Sequence, residues 1–255
     1  MEKEAEKGKL QSTPLDPDKM YAELEEKITE KSKILVLPFP NNPTGSIMTR
    51  EDLKAIADIV IKHDLYVLSD EIYAEMTYGR KHVSIATLPG MRERTIVVNG
   101  FSKAYAMTGW RMGYVAAPHE ITAQMHKIHQ YAIMCAPTTS QKAAIEALKF
   151  GDPDIAEMTA EYDRRRRVIV KGFNDMGLTC FEPKGAFYAF PCIKSTGLTS
   201  EEFCEQLLMS EKVAVVLLKS DINLPFAERI EKESTKNSMF DALDLGFTWL
   251  ERALK

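Results

Sequence analysis

The sequence has little of what marks a membrane-embedded, secreted or nucleic-acid-binding chain. No apolar run reaches the roughly 18 residues that suggest a membrane-spanning helix. The start, Met1-Glu-Lys-Glu-Ala-Glu6, is charged rather than signal-like. Cysteine is scarce: four residues, at 135, 180, 192 and 204, have neither metal-ligand spacing nor a disulfide framework for a chain of 255. Such cysteines fit a reducing compartment, so a cytoplasmic location is expected, with no membrane partner and no metal. Neither charge sign dominates. Lys and Arg total 33 against 37 Asp and Glu, a net charge of -4, which gives no chain-wide basic field for nucleic acid. The short basic run Arg164 to Arg167 reads as a solvated helix face or a carboxylate partner. Repeats and low-complexity segments are absent.

What is present is an ordinary globular composition, 45% apolar and 27% charged, in a chain long enough for one large or two small domains. Apolar runs at Lys33–Pro38, Leu65–Ser69, Thr95–Asn99 and Met112–Ala117 read as strands. Between the first two, Thr49 is placed to cap a helix with Asp52 three residues on, and Leu53, Ile56, Ala57, Val60 and Ile61 form its apolar face. Helical patterns also cover Asp16–Ile28, His119–Tyr131, Thr138–Phe150 and the long stretch Asp154–Met176. Beyond Gly177 the rhythm changes. Leu178–Phe181, Ala186–Phe190 and Val213–Val216 are short β-like runs, Glu201–Met209 is helical, and Asn237–Leu254 closes the chain as an amphipathic helix. The pattern predicts an α/β fold, a largely parallel sheet flanked by helices over residues 1–153, followed by a bridging helix and a smaller α+β domain over 154–255.

Three blocks carry chemistry. Pro40-Asn41-Asn42-Pro43-Thr44-Gly45 follows the first strand, Ser69-Asp70-Glu71-Ile72-Tyr73 ends the second, and Asn99-Gly-Phe-Ser102-Lys103 ends the third and runs on to Gly109-Trp-Arg111-Met-Gly113. In a parallel sheet ligands gather beyond the carboxyl ends of the strands, so Asn42, Asp70 and Lys103 fall around one crevice. Taken singly, each has an ordinary explanation. Lys103 can snorkel from a surface loop, and Asp70 can cap a helix. Tyr73 can fill a core, and Asn42 and Ser102 suit turns. Arg111 can join a surface ion pair.

Together, in this order and with separations of 28, 33 and 8 residues from Asn42 to Asp70, Lys103 and Arg111, the blocks resemble the signature of class I/II aminotransferases. These are fold type I enzymes dependent on pyridoxal 5'-phosphate (PLP). The likeness runs from about Leu15 to Val216. It implies a PLP transferase-like major domain and a homodimer. The implied reaction moves an amino group between an amino acid and a 2-oxo acid through a Schiff base on Lys103, which also acts as general base. By the same resemblance Asp70 pairs with the pyridine nitrogen, Tyr73 and Asn42 bond the ring oxygen, and Ser102 and Arg111 hold the phosphate. Gly109 and Gly113 are then expected to let backbone approach closely.

The sequence departs from the family pattern in two places. Family members are longer, and the part ahead of the Asn-Asn-Pro block, with its phosphate loop, stacking aromatic ring and substrate lid, is reduced here to a few tens of residues. Where the family carries Pro-Gly-x-x-Phe-Gly after the strand at 213–216, this chain has Leu217-Leu-Lys-Ser220; Arg229 sits at roughly the distance of the arginine that grips the substrate carboxylate. Gly185-Ala-Phe187-Tyr188 resembles the family run on the substrate side. Two alternatives follow: a truncated, inactive or split-chain member, and another fold type I PLP enzyme such as a β-lyase or decarboxylase.

Overall fold

The computed structural model describes residues 17–210 and two further strands, 213–218 and 230–236. Packing divides the chain into two units, Met1–Cys192 and Ile193–Lys255.

The first unit is built on a four-stranded sheet in the order β1 (Ile34–Pro38), β2 (Tyr66–Asp70), β3 (Thr95–Gly100), β4 (Gly113–Ala116). The first three strands run parallel, with Pro38 opposite Asp70 and Asp70 opposite Val98, so their carboxyl ends lie level. The fourth is antiparallel to β3, with Gly113 opposite Gly100. That close pairing explains both glycines. A Cβ on Gly100 would sit 3.0 Å from the Gly113 Cα, and one on Gly113 would sit 3.1 Å from the Asn99 carbonyl oxygen. Gly109, expected to serve a similar close approach, faces open space.

Alternation along the strands sends Leu37, Val67, Ser69 and Thr95 to one face, where all four are buried. Helix α2 (Arg50–Lys62) covers that face with Leu53, Ile56, Ala57 and Val60, joined by Ile85, Leu88 and Met91 from the segment before β3. Its start is the expected capping box. The Thr49 hydroxyl accepts from the Asp52 N–H at 3.2 Å, and the Asp52 carboxylate accepts from the Thr49 N–H at 2.7 Å. Ile61, expected on the apolar face, is instead 42% exposed, and Ile59 is buried in its place. The helix is rotated so that the arc around Ile56 and Val60 meets the sheet. On the opposite sheet face Ile34, Val36 and Tyr66 are exposed.

Helices α1 (Pro17–Lys27), α3 (His119–Ala132), α4 (Thr138–Phe150) and α5 (Asp152–Asp175) complete the unit. The buried Arg166 fastens α5. Its guanidinium donates to Asp163, to Glu182 Oε1 at 2.6 Å and to the Pro183 carbonyl at 3.0 Å, and lies 4.8 Å over the Tyr78 ring. The stretches Leu178–Phe181 and Ala186–Phe190 are not strands; the first makes a single bridge, Thr179 to Cys192, and the second is preceded by one, Gly185 to Thr77. Their partners are loops, which offer no continuous ladder.

In the second unit α6 (Ser200–Ser210) precedes an antiparallel ribbon of β5 (Val213–Leu218) and β6 (Ile230–Lys236). The helix expected over Asn237–Leu254 lies outside the described residues.

Candidate active site

The level strand ends place three turns side by side. After β1, Asn41 does the turn-making. Its side-chain oxygen accepts from the Thr44 N–H and hydroxyl at 3.2 and 2.7 Å, and its backbone carbonyl accepts from the Gly45 N–H at 2.8 Å. Asn42 is thereby left exposed at the tip. Gly45 has φ +71° and its Cβ position falls 2.4 Å from Pro183 Cβ. Its carbonyl accepts from the N–H groups of both Lys184 and Gly185. The loop is therefore docked on the segment leading to Phe187.

At the end of β2, Asp70 points away from the α2 core and Glu71 turns back toward it, as strand alternation requires. Asp70 Oδ1 accepts from the Ile72 N–H at 3.1 Å. It caps a turn rather than the helix expected from its position. Glu71 is buried. Its Oε1 accepts from the Ser69 and Ser84 hydroxyls at 2.9 and 2.6 Å, and its Oε2 lies 3.0 Å from His82 Nε2. Burial alone would raise this carboxyl, but the imidazole and the two hydroxyls outweigh it and hold Glu71 below the usual glutamate range. The cluster closes the loop that carries Tyr73.

Tyr73 is 4% exposed. Burial pushes its phenol well above the ordinary tyrosine range, aided by the Tyr188 hydroxyl and the negative charge of Asp70. The two hydroxyls, Tyr73 and Tyr188, are 2.5 Å apart, and the Phe187 ring meets Tyr73 edge-on at 5.2 Å. Lys103, in the turn after β3, holds Nζ 5.8 Å from the Tyr73 ring centre and 5.6 Å from that of Phe187. Lys103, Tyr73, Phe187 and Tyr188 thus form one assembly, while the contact seen for Asp70 is the Ile72 N–H of its own turn.

Ser102 and Arg111 belong to the same turn as Lys103. Thr108 links them: its hydroxyl donates to the Ser102 carbonyl and its own carbonyl accepts from Arg111 Nη1, both at 2.9 Å. Arg111 adopts φ +52° and keeps its side chain exposed. The turn is braced from below by Phe101, whose buried ring packs with Met107 and Ala144. Arg229 lies outside the described residues. Two hollows line α5, one of about 460 Å³ beside Asp154, Met158 and Arg165, the other of about 180 Å³ behind Phe187 and Tyr188.

The sequence reading gave no part to Glu71, His82 or Ser84, and gave Tyr188 only a place in a substrate-side run. The pairing of Tyr188 with Tyr73 spans 115 positions, so only the resemblance of Gly185–Tyr188 to a family run pointed toward it.

Comparison with known proteins returns one family description, aminotransferase class I and II, over residues 5–222. An aspartate aminotransferase of Pyrococcus abyssi is 53% identical over 197 residues, 76% of this chain and 51% of that protein. Aromatic-amino-acid aminotransferase 2 of Thermococcus litoralis is 49% identical over 197 residues, with the same shares covered. Among solved structures, an aromatic aminotransferase from Pyrococcus horikoshii superposes with a TM-score of 0.72 at 49% identity, over 76% of this chain and 52% of that one. The chain spans about half the length of the curated relatives it matches.

Proposed function

Because the chain belongs to the class I and II aminotransferase family, we propose that it takes part in PLP-dependent transfer of an amino group between an amino acid and a 2-oxo acid. The observation that carries this reading is Lys103, held against the Tyr73 and Phe187 rings at the carboxyl end of a parallel sheet. The donor types at the three strand ends suit the cofactor: the Lys103 amine for its aldehyde, carboxylate Asp70 for its ring nitrogen, phenol Tyr73 and amide Asn42 for its ring oxygen, and hydroxyl Ser102 with guanidinium Arg111 for its phosphate. When bound, PLP supplies an electron sink for the bonds at the substrate Cα.

The chain's own residues supply the rest. Lys103 Nζ, beside the Tyr73 and Phe187 rings, serves as the general base at the Cα proton. Asp70 Oδ1 accepts from the Ile72 N–H, and a carboxylate at this position would pair with the protonated ring nitrogen. Phe187 and Tyr188 wall one side of the site against water. The partners are an amino acid and a 2-oxo acid; Arg229 is proposed, on its sequence position alone, as the carboxylate contact. A homodimeric, cytoplasmic enzyme is part of the same proposal. Four free cysteines suit that compartment.

A second reading is favoured by the exposed Ile34, Val36 and Tyr66 on the open sheet face: these residues complete a working site only once that face is covered. One experiment decides between the readings. PLP added to the purified chain gives a yellow band that borohydride fixes covalently and Lys103→Ala abolishes, and amino acids then bleach it. A band that amino acids leave unchanged selects the second reading. Failure of the wild-type chain to develop any band overturns cofactor binding by this chain.

A further inference from the structure

Tyr73 has a hydroxyl partner with no assigned role. Tyr188 approaches it to 2.5 Å, with the two ring centres 5.7 Å apart. Tyr188 cannot drift from this position, because the segment bearing it is pinned on both sides. The Ala186 N–H donates to the Met76 carbonyl at 2.8 Å, the Tyr78 N–H donates to the Lys184 carbonyl at 2.9 Å, and the Tyr78 hydroxyl donates to the Ala186 carbonyl at 2.5 Å. On the other side Gly185 is wedged so tightly against Pro40 and Ile47 that a Cβ would lie 2.6 and 2.7 Å from their side chains.

A phenol has a single proton to donate and lone pairs to accept with. The spacing allows either hydroxyl to be the donor. If Tyr73 donates to Tyr188, its proton is spent and it offers nothing to a ring oxygen. If Tyr188 donates, Tyr73 accepts on its oxygen and keeps its proton for a second acceptor, and the chain of two hydrogen bonds strengthens each member. We propose that Tyr188 is a positioning residue: its hydroxyl donates to Tyr73 and thereby directs the Tyr73 proton toward the group held at Lys103. This rests on the reading that PLP binds there. It makes the Gly185–Tyr188 segment part of the cofactor side of the site as well as a wall for substrate.

Two measurements on the chain test it. The first needs no cofactor. Urea midpoints are taken for Tyr73→Phe, Tyr188→Phe and the double variant. Paired hydroxyls make the effects non-additive, with the double variant shifted no further than the worse single variant; additive shifts overturn the pairing. The second follows the pH at which the PLP band changes colour. A donor to the ring oxygen favours the deprotonated form of the neighbouring nitrogen, so weakening that donor raises this pH. Tyr188→Phe raises it by about half a unit to one unit, Tyr73→Phe raises it at least as far, and Tyr188→Phe adds nothing on the Tyr73→Phe background. A colour change unmoved by Tyr188→Phe, or moved equally on both backgrounds, overturns the positioning role. If wild type shows no band, the cofactor reading fails and takes the directed proton with it, while the urea cycle still judges the hydroxyl pair.

Discussion

Gly45 and Glu71 show how single residues hold this site. Gly45 combines a left-handed φ of +71° with a Cβ position 2.4 Å from Pro183 Cβ. Gly45→Ala therefore meets both backbone strain and a clash with a ring that cannot swing away, and costs about 2–4 kcal/mol in urea unfolding. Glu71 is a carboxyl held below its usual range by His82, Ser84 and Ser69 against the opposing effect of burial. Its folded value lies below the unfolded one. Its contribution is fully present above the unfolded value and is lost as pH falls through the folded one. Glu71→Gln accordingly lowers stability by about 2 kcal/mol at neutral pH, and the gap to wild type narrows as pH falls through and below the usual glutamate range, measurable by urea unfolding across a pH series. At this scale the sequence was only partly legible. Lys103, Asp70 and Tyr73 stand out because they follow apolar strands. The assignment of turn chemistry to Asn42 was displaced by one residue, since two adjacent asparagines look alike until hydrogen bonds separate them. The Glu71 cluster was invisible, because Ser, His and Ser at 69, 82 and 84 form no recognisable spacing and meet only through the loop's path.

Elements were read more completely than residues, and for a physical reason. The strands β1 to β3 run largely apolar and helices α2 to α5 each carry apolar residues at helical spacing, whether or not that face is covered, so periodicity marks them. Two kinds of element escaped. The Leu178–Phe181 and Ala186–Phe190 runs have strand-like composition, but the first holds one isolated bridge and the second merely follows one at Gly185; composition says nothing about whether a partner ladder exists. β6 was missed for the opposite reason: Ile230-Glu-Lys-Glu-Ser-Thr-Lys236 is polar almost throughout, yet pairs along β5. Helix α5 was foreseen, but not its anchor. Arg166 ties it to the segment bearing Phe187 and Tyr188 through Glu182 and Pro183. Arg166→Ala leaves Glu182 and Asp163 without that cation and costs about 3 kcal/mol. Because the same segment presents Tyr188, the variant also lowers retention of added PLP on a desalting column, while Arg165→Ala, whose guanidinium bonds only the exposed Glu161, leaves retention near wild type.

At the scale of the molecule, the described residues leave apolar side chains exposed on the open sheet face and on α3 and the turn after it, where Ile128 is 71%, Tyr131 95% and Met134 77% exposed. Scattered singly such residues are normal, but a shared patch invites association. Sedimentation velocity is therefore expected to show concentration-dependent self-association of the chain; a single sedimentation coefficient at all concentrations overturns this. Replacing Ile128 and Tyr131 together by glutamate reduces that association with little loss of stability, since neither side chain is packed. The class of fold was legible from strand and helix order, and the family from three motif blocks. The extent of uncovered surface was not, because exposure depends on what lies against a face rather than on the residues in it.

The Gly45 carbonyl accepts from two N–H groups about 140 positions further along the chain. A ribosome releases those partners on the order of ten seconds after Gly45 itself. Until then the bend carrying Asn42 has no surface to rest on, although the strands behind it are already paired. The portion of the crevice lying first in the gene is consequently completed last, and a nascent chain halted before residue 185 holds a sheet with no finished mouth.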